Sequence, residues 1–148
     1  MKEYLTKNKL ETEELGIKLG RLLKKGDCIL LSGDLGAGKT TFTKGIGKGL
    51  DIKKDINSPT FTIMKIYQGR LPLYHFDFYR LNNKTEDFDF LDYIEGDGVA
   101  VIEWPDNAKV LLPDEYLLIE LAYLACESRK ISLNAKGQRY LKIMENIK

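Results

Sequence analysis

The chain has 148 residues, of which 43% are hydrophobic and 30% charged, an ordinary globular mix for one domain. Its formal net charge of +1 gives no global electrostatic drive toward nucleic acid or a membrane surface. No apolar run approaches the length that spans a bilayer, the first residues lack a leader-type apolar region, and the two cysteines, Cys28 and Cys126, have neither metal nor redox spacing, which together read as a reduced cytoplasmic protein.

Glu11 to Lys25 carries Leu15, Leu19, Leu22 and Leu23 as the apolar stripe of a helix, with Thr12 as a candidate N-cap and Gly26 as its stop. Asp27 to Ser32 is a short apolar run of the kind found in buried parallel strands, and Cys28 within it reads as a small buried hydrophobe. Directly after it comes Gly33-Asp34-Leu35-Gly36-Ala37-Gly38-Lys39-Thr40, which fits G-x-x-x-x-G-K-[ST]. The glycines let successive N–H groups turn onto phosphate oxygens, Lys39 reaches the β- and γ-phosphates, and the Thr40 hydroxyl binds Mg²⁺. Thr41 to Leu50 follows with Phe42, Ile46 and Leu50 four apart, one face of a helix whose positive end aims at the same anion. Strand, loop and helix in that order are the setting a phosphate loop requires.

Asp51 to Asn57 is polar and loop-like, and Ser58-Pro59-Thr60 sits where nucleotide switches sense a γ-phosphate. Phe61 to Tyr67 and Leu71 to Phe78 read as strands joined by Gln68-Gly69-Arg70, a candidate hairpin. Thr85 to Ile94 reads as a short helix broken by Gly96-Asp97-Gly98, Val99 to Glu103 as a buried strand, Tyr116 to Leu124 and Lys130 to Asn134 as late strands, and Gly137 to Lys148 as a terminal helix with Leu141 and Met144 inward.

Two apolar strands end in carboxylates, Asp77 and Glu103, where sheet strands face a ligand crevice. Both are placed near the metal, without a decision as to which holds Mg²⁺ and which orients water. His75 shares a strand face with Asp77, and a packed, hydrogen-bonded core histidine is its simpler reading. Trp104, the single tryptophan, is either a packing residue or an aromatic wall of the site.

Four blocks in order, Gly33 to Thr41, Ser58-Pro59-Thr60-Phe61, His75-Phe76-Asp77-Phe78-Tyr79-Arg80 and Ile102-Glu103-Trp104-Pro105, resemble the bacterial TsaE (YjeE) family over most of residues 12 to 130. The resemblance implies the ATPase component of the machinery that makes threonylcarbamoyladenosine in tRNA, with TsaD and TsaB as partners, tRNA met through the complex, and TsaC supplying the activated threonylcarbamoyl group. It implies ATP and Mg²⁺ as ligands, held by residues 33 to 41, with Asp77 as a Walker B-type acid and Glu103 as a metal or water-orienting carboxylate. Thr60 becomes part of the switch-like loop, Trp104 functionally important, and Arg129 an arginine before a late strand, near the nucleotide; Thr12 also fits a family threonine. No arginine finger is evident, with Arg80 a candidate by position alone. The fold expected is a three-layer α/β phosphate-loop fold, a mostly parallel twisted sheet with helices on both faces and an antiparallel hairpin, forming one domain over residues 1–148. A small-molecule or nucleoside kinase is the alternative function. A GTPase is a weaker one, since Asn83-Lys84-Thr85-Glu86 misses the guanine-reading motif at its last residue. A nucleotide-gated binding module that barely hydrolyses overlaps with the ATPase reading.

Overall fold

In a computed structural model, which describes residues 1–34, 36–57, 63–79 and 89–147, one seven-stranded sheet runs through the molecule. Its strands are β1 (Lys2–Thr6), β2 (Cys28–Ser32), β3 (Met64–Tyr67), β4 (Leu73–Asp77), β5 (Val99–Glu103), β6 (Tyr116–Ala125) and β7 (Ser128–Lys136). The order across the sheet is β1-β7-β6-β2-β5-β4-β3. β2 is flanked by β5 and β6, both parallel to it, and β4 is parallel to β5. β3–β4, β6–β7 and β1–β7 are antiparallel, so β3 and β7 alone run against the common direction. The expected mostly parallel sheet and the expected hairpin are both present, with Met64 opposite Phe76 and Tyr67 opposite Leu73 in the hairpin.

Alternation along the strands splits the core in two. Ile29, Leu31, Leu73, Val99, Val101, Leu117 and Ile119 face helices α1 (Lys9–Leu22), α2 (Lys39–Gly49) and α4 (Gln138–Asn146). Cys28, Leu30, Tyr74, Phe76, Ala100 and Ile102 face α3 (Asp89–Ile94) and a 3-10 segment, Pro105–Leu111. Helices therefore cover both faces. Phe42, Ile46 and Leu50 are fully buried, as their spacing predicts. Cys28 is buried too, and burial pushes its thiol up to about 12.

α1 and α2 lie unusually close. Gly16 and Gly20 of one meet Gly45 and Gly49 of the other backbone to backbone, and a Cβ on Gly16 would stand 2.5 Å from the Phe42 carbonyl oxygen. α2 begins directly after the Gly33–Gly38 loop, so this glycine seam seats the helix that follows that loop against α1.

Two expectations need correction. The N-cap of α1 is Asn8, not Thr12: Asn8 Oδ1 accepts from Glu11 N at 2.9 Å, and Glu11 Oε1 accepts from Lys7 N in return. Thr12 instead lies buried inside the helix, its Oγ1 2.7 Å from that of Thr6 on β1. Leu141 points outward, 44% exposed, while Tyr140, Ile143 and Met144 are buried. Asp27 dictates that rotation: it takes Arg139 bidentately at 3.1 and 2.7 Å, and the Tyr140 hydroxyl accepts from Cys28 N at 2.8 Å. β1 and the 3-10 segment were not expected from the sequence. Among the described residues no helix is long and apolar enough to cross a membrane.

Candidate nucleotide site

β2 ends at Ser32, and the chain enters the loop at Gly33 with φ +148°. A side chain here would collide with Leu121: its Cβ would stand 2.5 Å from the Leu121 carbonyl oxygen, because the loop passes directly beside β6. Gly38, at φ +103°, is the N-cap of α2, and Phe42 N bonds its carbonyl at 2.9 Å. Left-handed backbone at this position turns the chain from loop into helix with no side chain standing in the turn. Thr40 and Thr41 occupy the first turn, where helix N–H groups and the macrodipole favour an anion.

Lys39 is buried. Its Nζ donates to the Gly33 carbonyl at 2.7 Å and lies 3.8 Å from the centre of the Trp104 ring. Burial lowers its pKa, and Glu103, Asp77 and Asp34 act against that shift. The ammonium thus sits among carboxylates that favour its charge.

Those carboxylates come from adjacent strand ends. Asp77 of β4 is the register partner of Glu103 of β5, and Leu31 of β2 pairs with Glu103 from the other side. Both acids therefore emerge at the sheet edge from which the loop leaves β2. Burial raises the Asp77 pKa; the Glu103 charge raises it further, while the Tyr79 N–H at 2.9 Å, His75 and Lys39 act downward. Glu103 is buried, its Oε2 2.6 Å from His75 Nε2. His75 is completely buried, and among the described residues its Nδ1 has no partner. The packed, hydrogen-bonded histidine read from the sequence is therefore present, and its partner is a proposed site carboxylate.

Trp104 follows Glu103 with φ +56°, ψ +53°, a left-handed conformation that is costly for a bulky residue. This turn swings the indole out of β5 and over Lys39, against Tyr79 at 5.0 Å between ring centres. Asn107, in the following 3-10 segment, donates to the Phe78 and Tyr79 carbonyls at 3.0 and 3.1 Å and ties the ends of β4 and β5 together. No sequence signal marks Asn107; its role depends on the turn at Trp104.

Arg129 reaches the loop from β7. It donates to the carbonyls of Ala37 (3.0 Å), Gly36 (3.1 Å), Cys126 (3.1 Å) and Ser128 (2.9 Å). Thr12 is close to the loop as well, its Cγ2 3.8 Å from where a Cβ on Gly38 would be. Lys39, Asp77, Glu103, Trp104, Arg129 and the glycine loop are thus gathered at one end of the sheet. Leu35, Thr60 and Arg80 lie outside the described residues. Among the described residues no three His, Cys, Asp or Glu side chains form a metal cage. Two carboxylates and a hydroxyl are the hard, incomplete donor set that suits Mg²⁺, which keeps several waters and shares substrate phosphates.

The chain is similar to known proteins over most of its length. The sequence profile of the family described as threonylcarbamoyl adenosine biosynthesis protein TsaE matches residues 6–131. A Bacillus subtilis (strain 168) protein named tRNA threonylcarbamoyladenosine biosynthesis protein TsaE is 42% identical over 146 residues, covering 98% of this chain and 92% of that one. A protein of the same name from Treponema pallidum (strain Nichols) is 43% identical over 125 residues, covering 83% and 93%. A crystal structure of Bacillus subtilis YdiB superposes with a TM-score of 0.83 at 38% identity, over 99% of this chain and 93% of that one. With the profile spanning the loop, both acidic strand ends and Arg129, and with full-length relatives at this level of identity, the chain belongs to the TsaE family.

Proposed function

We propose that this protein is a single-domain, Mg²⁺-dependent ATP-binding and ATP-hydrolysing subunit required for threonylcarbamoyladenosine modification of tRNA, working in the cytoplasm with TsaD and TsaB. The pathway comes from the relatives' names. The observation that carries the chemistry is the convergence of Lys39 at the head of α2 with Asp77 and Glu103 in register at neighbouring strand ends.

In this reading the loop backbone from Gly33 to Thr41 holds the α- and β-phosphates, and Lys39 exchanges the Gly33 carbonyl for phosphate oxygens. Thr40, Asp77 and Glu103 hold Mg²⁺, which when bound neutralises charge on the β- and γ-phosphates. Glu103, kept in place through Oε2 by His75, is the carboxylate suited to orient the attacking water, and Asp77 is the Walker B-type acid. Trp104 covers Lys39 and shields the charges from bulk water. Thr60 belongs to the γ-phosphate-sensing loop. No arginine finger is evident in the sequence, and Arg80, the candidate by position, lies outside the described residues, so turnover by the isolated chain is slow and rises when partners complete the site.

Hydrolysis resets the partner complex between modification cycles rather than driving threonylcarbamoyl transfer itself. A pull-down of TsaD and TsaB, with ATP, ADP or no nucleotide, tests this: retention that depends on the nucleotide is expected. Nucleotide-independent retention, or phosphate delivered to an added nucleoside acceptor instead of water, contradicts it.

A further inference from the structure

The guanidinium of Arg129 is buried, and each of its three nitrogens donates to a backbone carbonyl. Two of those carbonyls, Gly36 and Ala37, belong to consecutive peptide units of the phosphate loop; the other two, Cys126 and Ser128, belong to the turn between β6 and β7. The Tyr123 ring stands 5.0 Å from the guanidinium carbon, and its hydroxyl accepts from Cys126 N at 3.0 Å. The arginine is thus fixed to a hairpin turn on one side and grips the loop on the other.

A trans peptide unit is planar, with its carbonyl and the following N–H pointing opposite ways. Holding the Ala37 carbonyl therefore turns the Gly38 N–H away from Arg129, toward the inside of the loop at the head of α2. Holding the Gly36 carbonyl turns the Ala37 N–H away too, and it closes the loop onto the Asp34 carbonyl at 3.0 Å. A flip of the Ala37–Gly38 unit would aim a carbonyl oxygen where phosphate oxygens must lie and remove the Gly38 donor, and a flip of the Gly36–Ala37 unit would break the Ala37–Asp34 bond that closes the loop.

We propose that Arg129 is a positioning residue for this loop: it acts through the Gly36 and Ala37 carbonyls to hold the peptide planes in their phosphate-accepting orientation, rather than by touching the nucleotide. Its planar fork matters more than its charge, because a lysine ammonium cannot hold two successive carbonyls and the hairpin turn in one plane. The inference rests on residues 33–40 being a phosphate loop.

The test uses the full chain, unaltered and as Arg129→Lys and Arg129→Gln. Amide hydrogen exchange of residues 36–40 is measured without nucleotide, and ATP and ADP affinities are measured by calorimetry. In both variants exchange in the loop is expected to rise about tenfold while β2 keeps its protection, and ATP and ADP affinities are expected to fall by a similar factor, about tenfold or more, without rescue by lysine. Unchanged loop exchange would overturn the inference. So would rescue by lysine, or a loss confined to ATP, since either marks a direct charge contact with phosphate. If the unaltered protein bound neither nucleotide, the phosphate-loop reading itself would fail; normal binding by all three proteins would remove only the role of Arg129.

Discussion

Lys39 donates to the Gly33 carbonyl and lies over the Trp104 ring, and in the proposed site it leaves both for phosphate. Because Trp104 is the single tryptophan, adding Mg²⁺-ATP should change the protein's intrinsic fluorescence with saturation, and Lys39→Ala should abolish that change; an unchanged emission in the unaltered protein would separate Trp104 from the nucleotide. Lys39→Ala should also cut turnover about 100-fold or more, as loss of a preorganised cation at developing negative charge does. His75 offers a finer comparison. With Leu in its place Glu103 loses the His75 hydrogen bond, and turnover should fall about tenfold while ATP affinity stays within about twofold; His75→Gln, which keeps a donor at similar reach, should recover part of the rate. Equal rates in all three proteins would mean that Glu103 needs no orientation. At this scale the sequence displayed the chemistry-bearing types, since the glycine-lysine loop, Asp77, Glu103 and Trp104 all sit at strand ends. It did not display what Arg129 grips, because backbone carbonyls are not specified by residue type.

Among the elements, those with a strong single signal were legible: β2 and β5 as apolar runs, α2 by residues four apart, the hairpin by its turn. β1 was not, since only alternate residues face the core from Lys2 to Thr6 and its edge position needs few apolar side chains. The 3-10 segment was hidden because it begins at a left-handed tryptophan, which local propensity disfavours. The rotation of α4, and so the misplacement of Leu141, came from the Asp27–Arg139 pair across 112 residues, a contact beyond any local pattern. The close seam between α1 and α2 makes its own prediction. Gly45→Ala adds a methyl against the Glu13 carbonyl and should cost about 1–3 kcal/mol in denaturant unfolding, despite alanine's better helix propensity. A variant at least as stable as the parent would show that the helices can part without loss.

For the molecule as a whole, the α/β architecture was legible from the alternation of apolar runs and helical spacings, but the pairing of β1 with antiparallel β7 was not, because partners at opposite ends of the chain leave no local mark. Stability at high pH is a whole-molecule property with a definite sign. Burial pushes the Cys28 thiol and the Tyr140 hydroxyl each up to about 12, above their ordinary values of 9.0 and 10.0. The neutral forms favour the fold, so their contribution is intact below pH 9 and is lost as pH climbs from 9 toward 12. Alkaline denaturation should therefore set in across that window, and Cys28→Ala should shift it less than it shifts stability at pH 7, because it removes a titrating group together with a buried side chain. Before unfolding, a thiol reagent at neutral pH should label the exposed Cys126 and spare Cys28.

The central claim is that Lys39, Asp77 and Glu103 form an ATP-hydrolysing site completed by partner proteins, and phosphate release from Mg²⁺-ATP measures it most directly. The expected result is slow release by the chain alone, a rise on adding TsaD and TsaB, and loss of the stimulated rate in Glu103→Ala and Lys39→Ala. A rate indifferent to the partners, or a normal stimulated rate in Glu103→Ala, would contradict it.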